Sequence, residues 1–564
     1  MPVNAAIQFH DDSFRTDQPK LMGRQAATES FFHAWLAHAD VDVAVAYVER
    51  AADRAAFAEA VRRFDGHDRR LLAVATPADS TAVQATGALF RPDPQLAELA
   101  FRRRRGDTRR WSLIGVTHTT ASLNAMKALS DLVLGPLEPW DALICTSSSV
   151  RAMVKRQIDG MFAYLQERLG ASRRPKLNMP VIPLGIDTAT FDPATAQAQA
   201  TRVRLRAELG IAEDDVAVLY LGRLSAYVKA HPLPMFVGLE EAVAAAGGRL
   251  HGKVHLIQAG WFTDDKREAH WREGQEILAP SIRHHVLDGR QPEVRAGIRF
   301  AADLFASFAD NIQETFGLTP VEAMAAGLPV IASDWDGYRE TVTSDCGILV
   351  PTMMPDPHAG LWLAQRFEDN LETYDTYCAT AALATSVDVS AAREAFTSLL
   401  TDRERRGAMG QAGRARARQH YDWARVVHAY QELFSDLQKQ RRKAAAQTIR
   451  AAVNPWRPNP FDLFRGYSTR TMQKGIRLRA TLRASSGSGN GAALRLMELD
   501  LNQLRGRAPG DGPQARALLE EIMASGPAGV PYETLLRPEI GGSASMICFH
   551  IGWLMKLGLV EPVA

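Results

Sequence analysis

The fold is decided by residues 302–334, which read ADLFASFADNIQETFGLTPVEAMAAGLPVIASD. An apolar strand-like run, ADLFAS, is followed by a polar loop, a helix-like segment and a second strand-like run, PVIAS. The order strand, helix, strand predicts one βα unit of a parallel sheet. The loop after the first strand would then lie at the carboxyl edge of the sheet, where α/β proteins bind their ligands.

The same alternation continues on both sides of this stretch. Five strands are predicted in the first half of the chain, at residues 42–48, 71–75, 112–117, 142–146 and 179–183. Six more are predicted at residues 217–222, 254–259, 284–287, 302–307, 329–333 and 347–350, with closing helices over 401–437. The pattern predicts an α/β fold with two doubly wound, Rossmann-like domains, over residues 1–190 and 191–437.

The remainder of the chain differs in composition. Residues 438–493 hold a basic stretch, a proline-rich stretch and a Gly/Ser-rich run, and are predicted to be a linker region. Residues 494–564 predict a small, mainly helical module with a winged-helix-like rhythm. Because its helices carry few basic residues, we expect no nucleic-acid binding and favour an oligomerisation or interaction role.

The composition excludes several classes of protein. The 564 residues include 66 Lys and Arg against 64 Asp and Glu, a net charge of +2, so no overall field draws the chain to nucleic acid or membrane. The four cysteines form no CxxC pair, which argues against a disulfide scaffold or thiolate zinc site and favours a cytoplasmic setting. We find no signal peptide and no apolar run of about 18 residues that predicts a spanning helix.

Two carboxylates stand out in residues 302–334. Glu314 lies in the predicted loop, and Glu322 lies eight residues later in the first turn of the helix. Three backbone amides between them predict a cradle for an anionic group at a helix amino terminus. They belong to Phe316, Gly317 and Leu318. Thr319 and Glu322 also fit a capping box, so a structural role for Glu322 stays open, whereas Glu314 is expected to be an exposed carboxylate that bonds a ligand's hydroxyl groups.

A second loop follows the strand predicted at 217–222. It contains Gly222, which permits close backbone approach, then Arg223 and Lys229. The guanidinium offers a fork of donors and the ammonium a point charge, so both could reach one anion. A solvated pair of cations is the alternative for the bare pattern. The position of this loop at the same sheet edge as Glu314 favours the anion site.

Taken together, GRLSAYVK at 222–229 and ETFGLTPVEAMAAGLPV at 314–330 resemble the signature of family 4 glycosyltransferases. These are retaining enzymes of the GT-B architecture, in which two Rossmann-like domains face each other. The stretches DALICTSSSVRAMV at 141–154 and VIPLGIDTATFDP at 181–193 agree with the resemblance. It covers residues 1–437 and is weakest at the amino terminus, where LMGR replaces the family's glycine-rich loop.

The resemblance implies a role for each matching residue. Arg223 and Lys229 would bind the donor diphosphate and stabilise it as it leaves, while Glu322 would hold the ribose hydroxyls. Glu314 and the three amides would hold the donor sugar. His118, in GVTHTT, would lie near the donor sugar and the reaction centre, although a hydrogen-bonded structural histidine is the alternative. Further donor contacts are implied for Gly23, Gly222 and Thr319.

The implied reaction moves a sugar from a nucleotide-diphosphate-sugar to an acceptor hydroxyl, without a further cofactor or metal. Breaking the anomeric bond places negative charge on the diphosphate, which cations and a helix dipole can neutralise. Retention would ordinarily suggest a covalent nucleophile, but no carboxylate is an obvious candidate. The resemblance itself implies same-face attack, in which the leaving phosphate helps to deprotonate the acceptor.

Two departures from the family pattern bear on these roles. Arg223 and Lys229 lie one residue further apart than is usual, so the lysine contact is the less certain one. Asp336–Gly337 stands where many members have two glycines, and this creates the triplet Asp334–Trp335–Asp336. The triplet resembles the metal-binding DxD of the other glycosyltransferase architecture. We interpret it as coincidence, because cationic side chains already serve the diphosphate.

Arginines cluster at residues 102–110 and 173–176, within the domain that holds the acceptor in this family. A solvated face, a peripheral contact with the inner membrane surface and a phosphorylated acceptor all remain open. The favoured function is a glycosyltransferase in cell-surface glycan or glycolipid synthesis that acts on a glycan, lipid-linked or other hydroxyl acceptor. The alternative is a non-catalytic nucleotide-sugar-binding or scaffold protein on the same fold.

Overall fold

The computed structural model describes residues 4–11, 23–65, 71–445, 454–485, 491–502, 513–537, 539 and 543–563. The chain divides into two compact units, Met1–Ala452 and Val453–Ala564. The first unit contains two six-stranded parallel sheets, and the second contains a three-stranded antiparallel sheet.

The first sheet has the strand order β3-β2-β1-β4-β5-β6. Its strands are β1 Ala6–Gln8, β2 Val43–Tyr47, β3 Leu71–Ala75, β4 Ala88–Arg91, β5 Ser112–Val116 and β6 Ala142–Ile144. The helices between them are α1 Gly23–His38, α2 Ala52–Asp65, α3 Thr81–Thr86, α4 Ala97–Arg103 and α5 Leu123–Leu134, with α6 Ser148–Leu169 after β6. Because both faces are covered by helices, its strands are mostly buried apolar runs.

The second sheet repeats this order as β9-β8-β7-β10-β11-β12. Its strands are β7 Val216–Leu221, β8 Val254–Gly260, β9 Arg283–Asp288, β10 Leu304–Ser307, β11 Val330–Ser333 and β12 Gly347–Val350. A two-stranded ribbon, β13 Thr352–Met353 with β14 Ser386–Val387, follows. The helices are α7 Ala196–Glu208, α8 Leu233–Ala246, α9 Asp265–Leu278, α10 Pro292–Ala301, α11 Leu318–Ala325, α12 Tyr338–Thr341, α13 Leu361–Glu368, α14 Tyr374–Leu383, α15 Val389–Thr401 and α16 Arg403–Arg416.

The prediction of two doubly wound domains is confirmed, with three differences in the first sheet. Strands β1 and β4, of three and four residues, were not predicted. The prediction of a strand at 179–183 is wrong, since this segment forms one isolated bridge, between Val181 and Cys145. All six strands predicted for the second sheet are present.

Near its end, the first unit returns from the second sheet to the first. After a π-helical turn at Ala417–Tyr421, helix α17 Trp423–Lys443 packs its apolar face into the core of the first sheet. The rings of Tyr430 and Phe31 lie 5.0 Å apart, and Trp423 Nε1 donates to Ser30 Oγ at 2.8 Å. Two chain crossings run side by side here, because the Ile186 amide donates to the Tyr421 carbonyl at 2.8 Å.

The second unit combines helices with a small sheet of order β16-β15-β17. The strands are β15 Arg477–Ala480, β16 Val530–Pro531 and β17 Val560–Pro562. The helices are α18 Pro460–Leu463, α19 Leu482–Ser485, α20 Gly491–Glu498, α21 Pro513–Ala524 and α22 Ala544–Lys556. Strand β15 comes from the region predicted as a linker, whose Gly/Ser run lies partly outside the described residues. Leu478 of β15 is fully buried against Leu518 and Ile551 in a separate core.

No helix in the part of the chain that the structure describes combines the length and the apolarity needed to cross a bilayer.

Candidate functional site

Two loops meet at the carboxyl edge of the second sheet. One follows β7 and the other follows β10, and these two strands are neighbours at the centre of the sheet. The strand order reverses between them, which is the switch point where doubly wound sheets open a ligand crevice. The fold therefore brings the two predicted loops to one place.

An ion pair joins the two loops. Lys229 Nζ lies 2.5 Å from Glu314 Oε2, and the Glu314 side chain is only 11% exposed. Two further contacts hold the first loop against the second. The His231 amide donates to Asp310 Oδ2 at 3.2 Å, and Asn311 Nδ2 donates to the Tyr227 carbonyl at 2.8 Å. The expectation that Glu314 is exposed is wrong, because the loop bearing Lys229 folds over it.

The electrostatics of the site keep Glu314 ionised. Burial alone would raise the pKa of this carboxyl. The nearby Lys229 ammonium, together with hydrogen bonds from the backbone amides of Phe316 and Thr315, outweighs burial and holds the pKa below its ordinary value. The Phe316 amide, predicted to face the donor, thus donates to Glu314 in this structure. An ionised carboxylate accepts hydrogen bonds only, which suits contact with hydroxyl groups.

Gly317 is required at the turn into α11. Its φ is +86°, and a Cβ at this position would lie 1.9 Å from Cε1 of Tyr338. Tyr338 is fully buried, and its hydroxyl lies 3.0 Å from Ser307 Oγ at the end of β10. Only glycine therefore lets the Glu314 loop close against this ring.

Glu322 does not form the capping box that was considered from the sequence. Helix α11 begins at Leu318 with Gly317 as its N-cap residue, so Thr319 lies inside the first turn. The Glu322 carboxylate instead forms an ion pair with Arg299 of α10. Arg299 is itself 3% exposed and packs its guanidinium over the ring of Phe191, 4.9 Å from the centroid. Arg299 thus fixes Glu322 in position, a role that the sequence pattern did not indicate.

Arg223 follows Gly222 at the end of β7. The Tyr220 hydroxyl donates to its carbonyl at 3.1 Å, which fixes the start of the loop. Arg223 is partly exposed, and none of the described carboxylates pairs with it. In this respect Arg223 differs from Lys229, whose charge is already shared with Glu314.

The Glu314 loop also contacts the first sheet. Thr315 Oγ1 donates to the carbonyl of His118 at 3.2 Å, and Thr146 Oγ1 donates to the carbonyl of Thr315 at 3.0 Å. His118 lies just after β5, and Thr146 lies just after β6. The structure therefore places the backbone of His118 beside Thr315, the residue that follows Glu314.

A second contact between the two sheets involves residues to which the sequence analysis gave no role. Ser147 Oγ donates to Asp336 Oδ1 at 2.6 Å, and the Ser148 amide donates to Glu340 Oε1 at 2.5 Å. Asp336 has a φ of +41°, which is uncommon for a residue other than glycine. Its departure from the family's glycine pair was the available signal.

Part of the chain that contains these loops is similar to a known protein family. Residues 201–374 match the family model described as glycosyl transferases group 1. The matched range contains both loops and the Lys229–Glu314 ion pair.

Two curated relatives and one solved structure illustrate the similarity. The D-inositol 3-phosphate glycosyltransferase of Kineococcus radiotolerans is 27% identical over 340 residues, which are 58% of this chain and 66% of the relative. The alpha-monoglucosyldiacylglycerol synthase of Streptococcus pneumoniae is 30% identical over 220 residues, which are 38% and 42%. This chain thus spans less than two thirds of these relatives. The crystal structure of Anabaena HepE with UDP has a TM-score of 0.49 at 15% identity, covering 77% of this chain and all of that one.

The structure also locates the remaining residues that the sequence analysis named. Gly23 is the first residue of α1, and the residues before it, 12–22, lie outside the described part. Asp334 Oδ1 lies 3.1 Å from Arg339 Nε, so the two carboxylates of the DxD-like triplet have separate intramolecular contacts. Within the described ranges, no group of three or more His, Cys, Asp or Glu side chains has an arrangement that could hold a metal ion.

The arginines at 102–110 are largely engaged within the fold. Arg103 is fully buried, and its guanidinium binds both oxygens of Asp141 at 2.6 Å. Arg102 bonds the Tyr47 hydroxyl at 3.1 Å, and Arg109 pairs with Asp107 at 2.7 Å. These side chains therefore have structural partners, and their membrane contact stays a prediction.

Proposed function

We propose that this chain is a retaining glycosyltransferase that moves a sugar from a nucleotide-diphosphate-sugar to an acceptor hydroxyl in glycan or glycolipid synthesis. The single observation that carries the proposal is the meeting of the Arg223 and Glu314 loops at the switch point of the second sheet. The match of residues 201–374 to glycosyl transferases group 1 supports the reaction class.

The charges of the site suit each part of such a donor. Arg223, which has no carboxylate partner among the described residues, would bind the diphosphate and neutralise the charge that develops on it. Lys229, already bonded to Glu314, would bridge the diphosphate and the carboxylate that accepts hydrogen bonds from the donor sugar. Glu322, oriented by Arg299, would bond the ribose hydroxyls.

We also propose that the reaction proceeds by same-face attack without a metal. His118 would lie beside the donor sugar, because its carbonyl is bonded to the residue that follows Glu314. Glu314 is held by Lys229 and two amides, so it is suited to orient a sugar rather than to attack it. The leaving phosphate would then accept the acceptor's proton.

The first test is turnover and binding of UDP-, GDP- and ADP-sugars by the full chain, with and without EDTA. D-inositol 3-phosphate and diacylglycerol, named in the two relatives, are the first acceptors to try. We expect Arg223→Gln to lower turnover by about 10²-fold or more, because one charge contact in the transition state is lost. Arg272→Gln is the matched control, since Arg272 is 51% exposed on α9 and pairs with Glu268.

Each outcome has a defined meaning. Turnover that survives EDTA and falls only in Arg223→Gln supports the proposal, and NMR of the product's anomeric proton must show retained configuration. Binding of a donor without turnover of any acceptor would favour the non-catalytic alternative. Equal loss in Arg223→Gln and Arg272→Gln would show that the site is assigned wrongly.

A further inference from the structure

The second unit carries a run of exposed aromatic side chains far along the sequence from the loops discussed above. It lies in residues 454–474, which we call the aromatic–basic segment. Five large apolar side chains here are between 44% and 87% exposed. They are Trp456, Phe461, Leu463, Phe464 and Tyr467. Apolar side chains gathered this densely at a surface mark an interaction site.

The backbone of this segment is ordered by local hydrogen bonds. Asn459 caps the short helix α18, with its Oδ1 accepting from the Phe461 amide at 3.0 Å. The Phe464 amide donates to the Pro460 carbonyl at 3.0 Å, and the Tyr467 amide donates to the Phe464 carbonyl at 2.9 Å. The rings of Phe464 and Tyr467 lie 5.2 Å apart. The aromatic side chains are therefore presented to solvent by a defined turn of chain.

The charge of the segment indicates the chemistry of its partner. Four basic residues accompany the aromatic ones, against a single acidic residue, Asp462. The basic residues are Arg457, Arg465, Arg470 and Lys474. Aromatic rings settle at the headgroup level of a bilayer, and basic side chains beside them are attracted to lipid phosphates. This combination suits an anionic membrane surface better than a neutral one.

A second exposed apolar area provides a contrast within the same chain. Leu361 and Trp362 of α13 are 60% and 51% exposed. Residues 353–383 around them contain five acidic residues and one arginine, so their charge opposes an anionic surface. Exposed apolar side chains alone therefore do not indicate an anionic membrane as the partner. Exposed apolar side chains combined with positive charge, as in the aromatic–basic segment, do.

We propose that the aromatic–basic segment is a peripheral docking surface for a bilayer that contains anionic phospholipid. Phe461, Phe464 and Tyr467 would enter the headgroup region, and Arg465 and Arg470 would bind the phosphates. This surface is distinct from the arginines at 102–110, which have partners within the fold. The test needs no sugar donor or acceptor, so it is independent of the proposed transferase activity.

The experiment is co-sedimentation of the full chain with vesicles of phosphatidylcholine, alone or mixed equally with phosphatidylglycerol. We expect binding to the mixed vesicles only. Replacing Phe461, Phe464 and Tyr467 together by Ser should weaken binding at least about tenfold. Arg465→Gln and Arg470→Gln should each weaken it about fivefold, and added salt should do the same. The matched control, Leu361→Ser with Trp362→Ser, should bind as the unmodified chain does.

Trypsin provides a second measurement that requires no variant. Cleavage after Arg465 and Arg470 should slow when mixed vesicles are present and stay unchanged with phosphatidylcholine alone. The proposal is overturned by equal binding to both vesicle types, by full binding of the triple serine variant, or by equal weakening in the α13 control. Unhindered cleavage on bound protein would show that another surface contacts the lipid.

Discussion

The Asp336 carboxyl offers a quantitative test of the site's electrostatics. Burial, reinforced by the nearby Glu314 and Glu340, raises the pKa of Asp336 from 3.8 to about 7, against the opposing effect of the hydrogen bond from Ser147. The folded chain then holds a proton that the unfolded chain releases, so this group's contribution to stability falls as the pH rises from about 4 to about 7. The perturbation is Asp336→Asn.

The magnitude follows from the pKa difference. A shift of about 3 pKa units corresponds to about 4 kcal/mol between folded and unfolded states, fully expressed only above pH of about 7. Asparagine cannot ionise, yet its Oδ1 still accepts the hydrogen bond from Ser147. It also tolerates the positive φ of 41° better than most residues, an effect that does not vary with pH. The variant's gain in stability should therefore grow by up to about 4 kcal/mol between acidic and mildly alkaline pH.

The assay is urea unfolding followed by far-UV circular dichroism across this pH range. The control is Asp334→Asn, two residues away, because this carboxylate is 40% exposed and pairs with the exposed Arg339. We expect the control to change the free energy of unfolding by less than about 1 kcal/mol at every pH. A gain for Asp336→Asn that is the same at both ends of the range would refute the reasoning, because it would show that Asp336 does not hold its proton.

Three further perturbations have defined outcomes. Arg103→Leu leaves the fully buried carboxylate of Asp141 without its cation and should lower the free energy of unfolding in urea by about 3–5 kcal/mol. Arg109→Leu on the surface should lower it by less than about 1 kcal/mol, and similar losses for the two variants would contradict the assigned burial. In Gly317→Ala the new Cβ would clash with the Tyr338 ring, and alanine would be strained at this positive φ. The variant should therefore lose donor binding in calorimetry and have a lower melting temperature. Normal donor affinity would disprove the close packing. Burial, aided by a neighbouring histidine, lowers the pKa of His285 to about 4, so the free energy of unfolding should fall as the pH drops from about 6.5 to 4. His285→Gln should flatten that part of the curve by at most about 3 kcal/mol, and by less because the ring is partly exposed; an unchanged curve would count against the shift.

Strands that appear in sequence as apolar runs between polar segments were predictable, and strand β4 was not. Strands β7 and β8 are continuous buried runs of six and seven residues, which is how a central parallel strand looks in sequence. Strand β4 has only four residues and begins directly after a helix C-cap at Gly87, so no window of sequence isolates it. The run at 179–183 has the composition of a strand, but it forms only one isolated bridge, to Cys145 just after β6.

The positions of the candidate residues in the fold were predictable, and their contacts were not. Glu314 and Arg223 were singled out in loops that follow strands, and His118 by its match to a family motif. The structure places all three in loops that follow parallel strands. The ion pair of Glu314 with Lys229 depends on how two loops fold over each other, and no local pattern encodes that distance. The same holds for Glu322, whose partner Arg299 precedes it by 23 residues on another helix.

The packing of α17 on the first sheet has a consequence for folding during synthesis. The aromatic face formed by Phe31, Trp35 and their neighbours is completed only by side chains that start at Trp423. Synthesis proceeds at about 5–20 residues per second, so residues 187–422 take roughly ten to fifty seconds to be made. During this time the aromatic face is not covered by α17. The core of the second sheet is drawn almost entirely from residues 184–421, so it can form during the same interval. The half of the unit that is synthesised first therefore completes its core last.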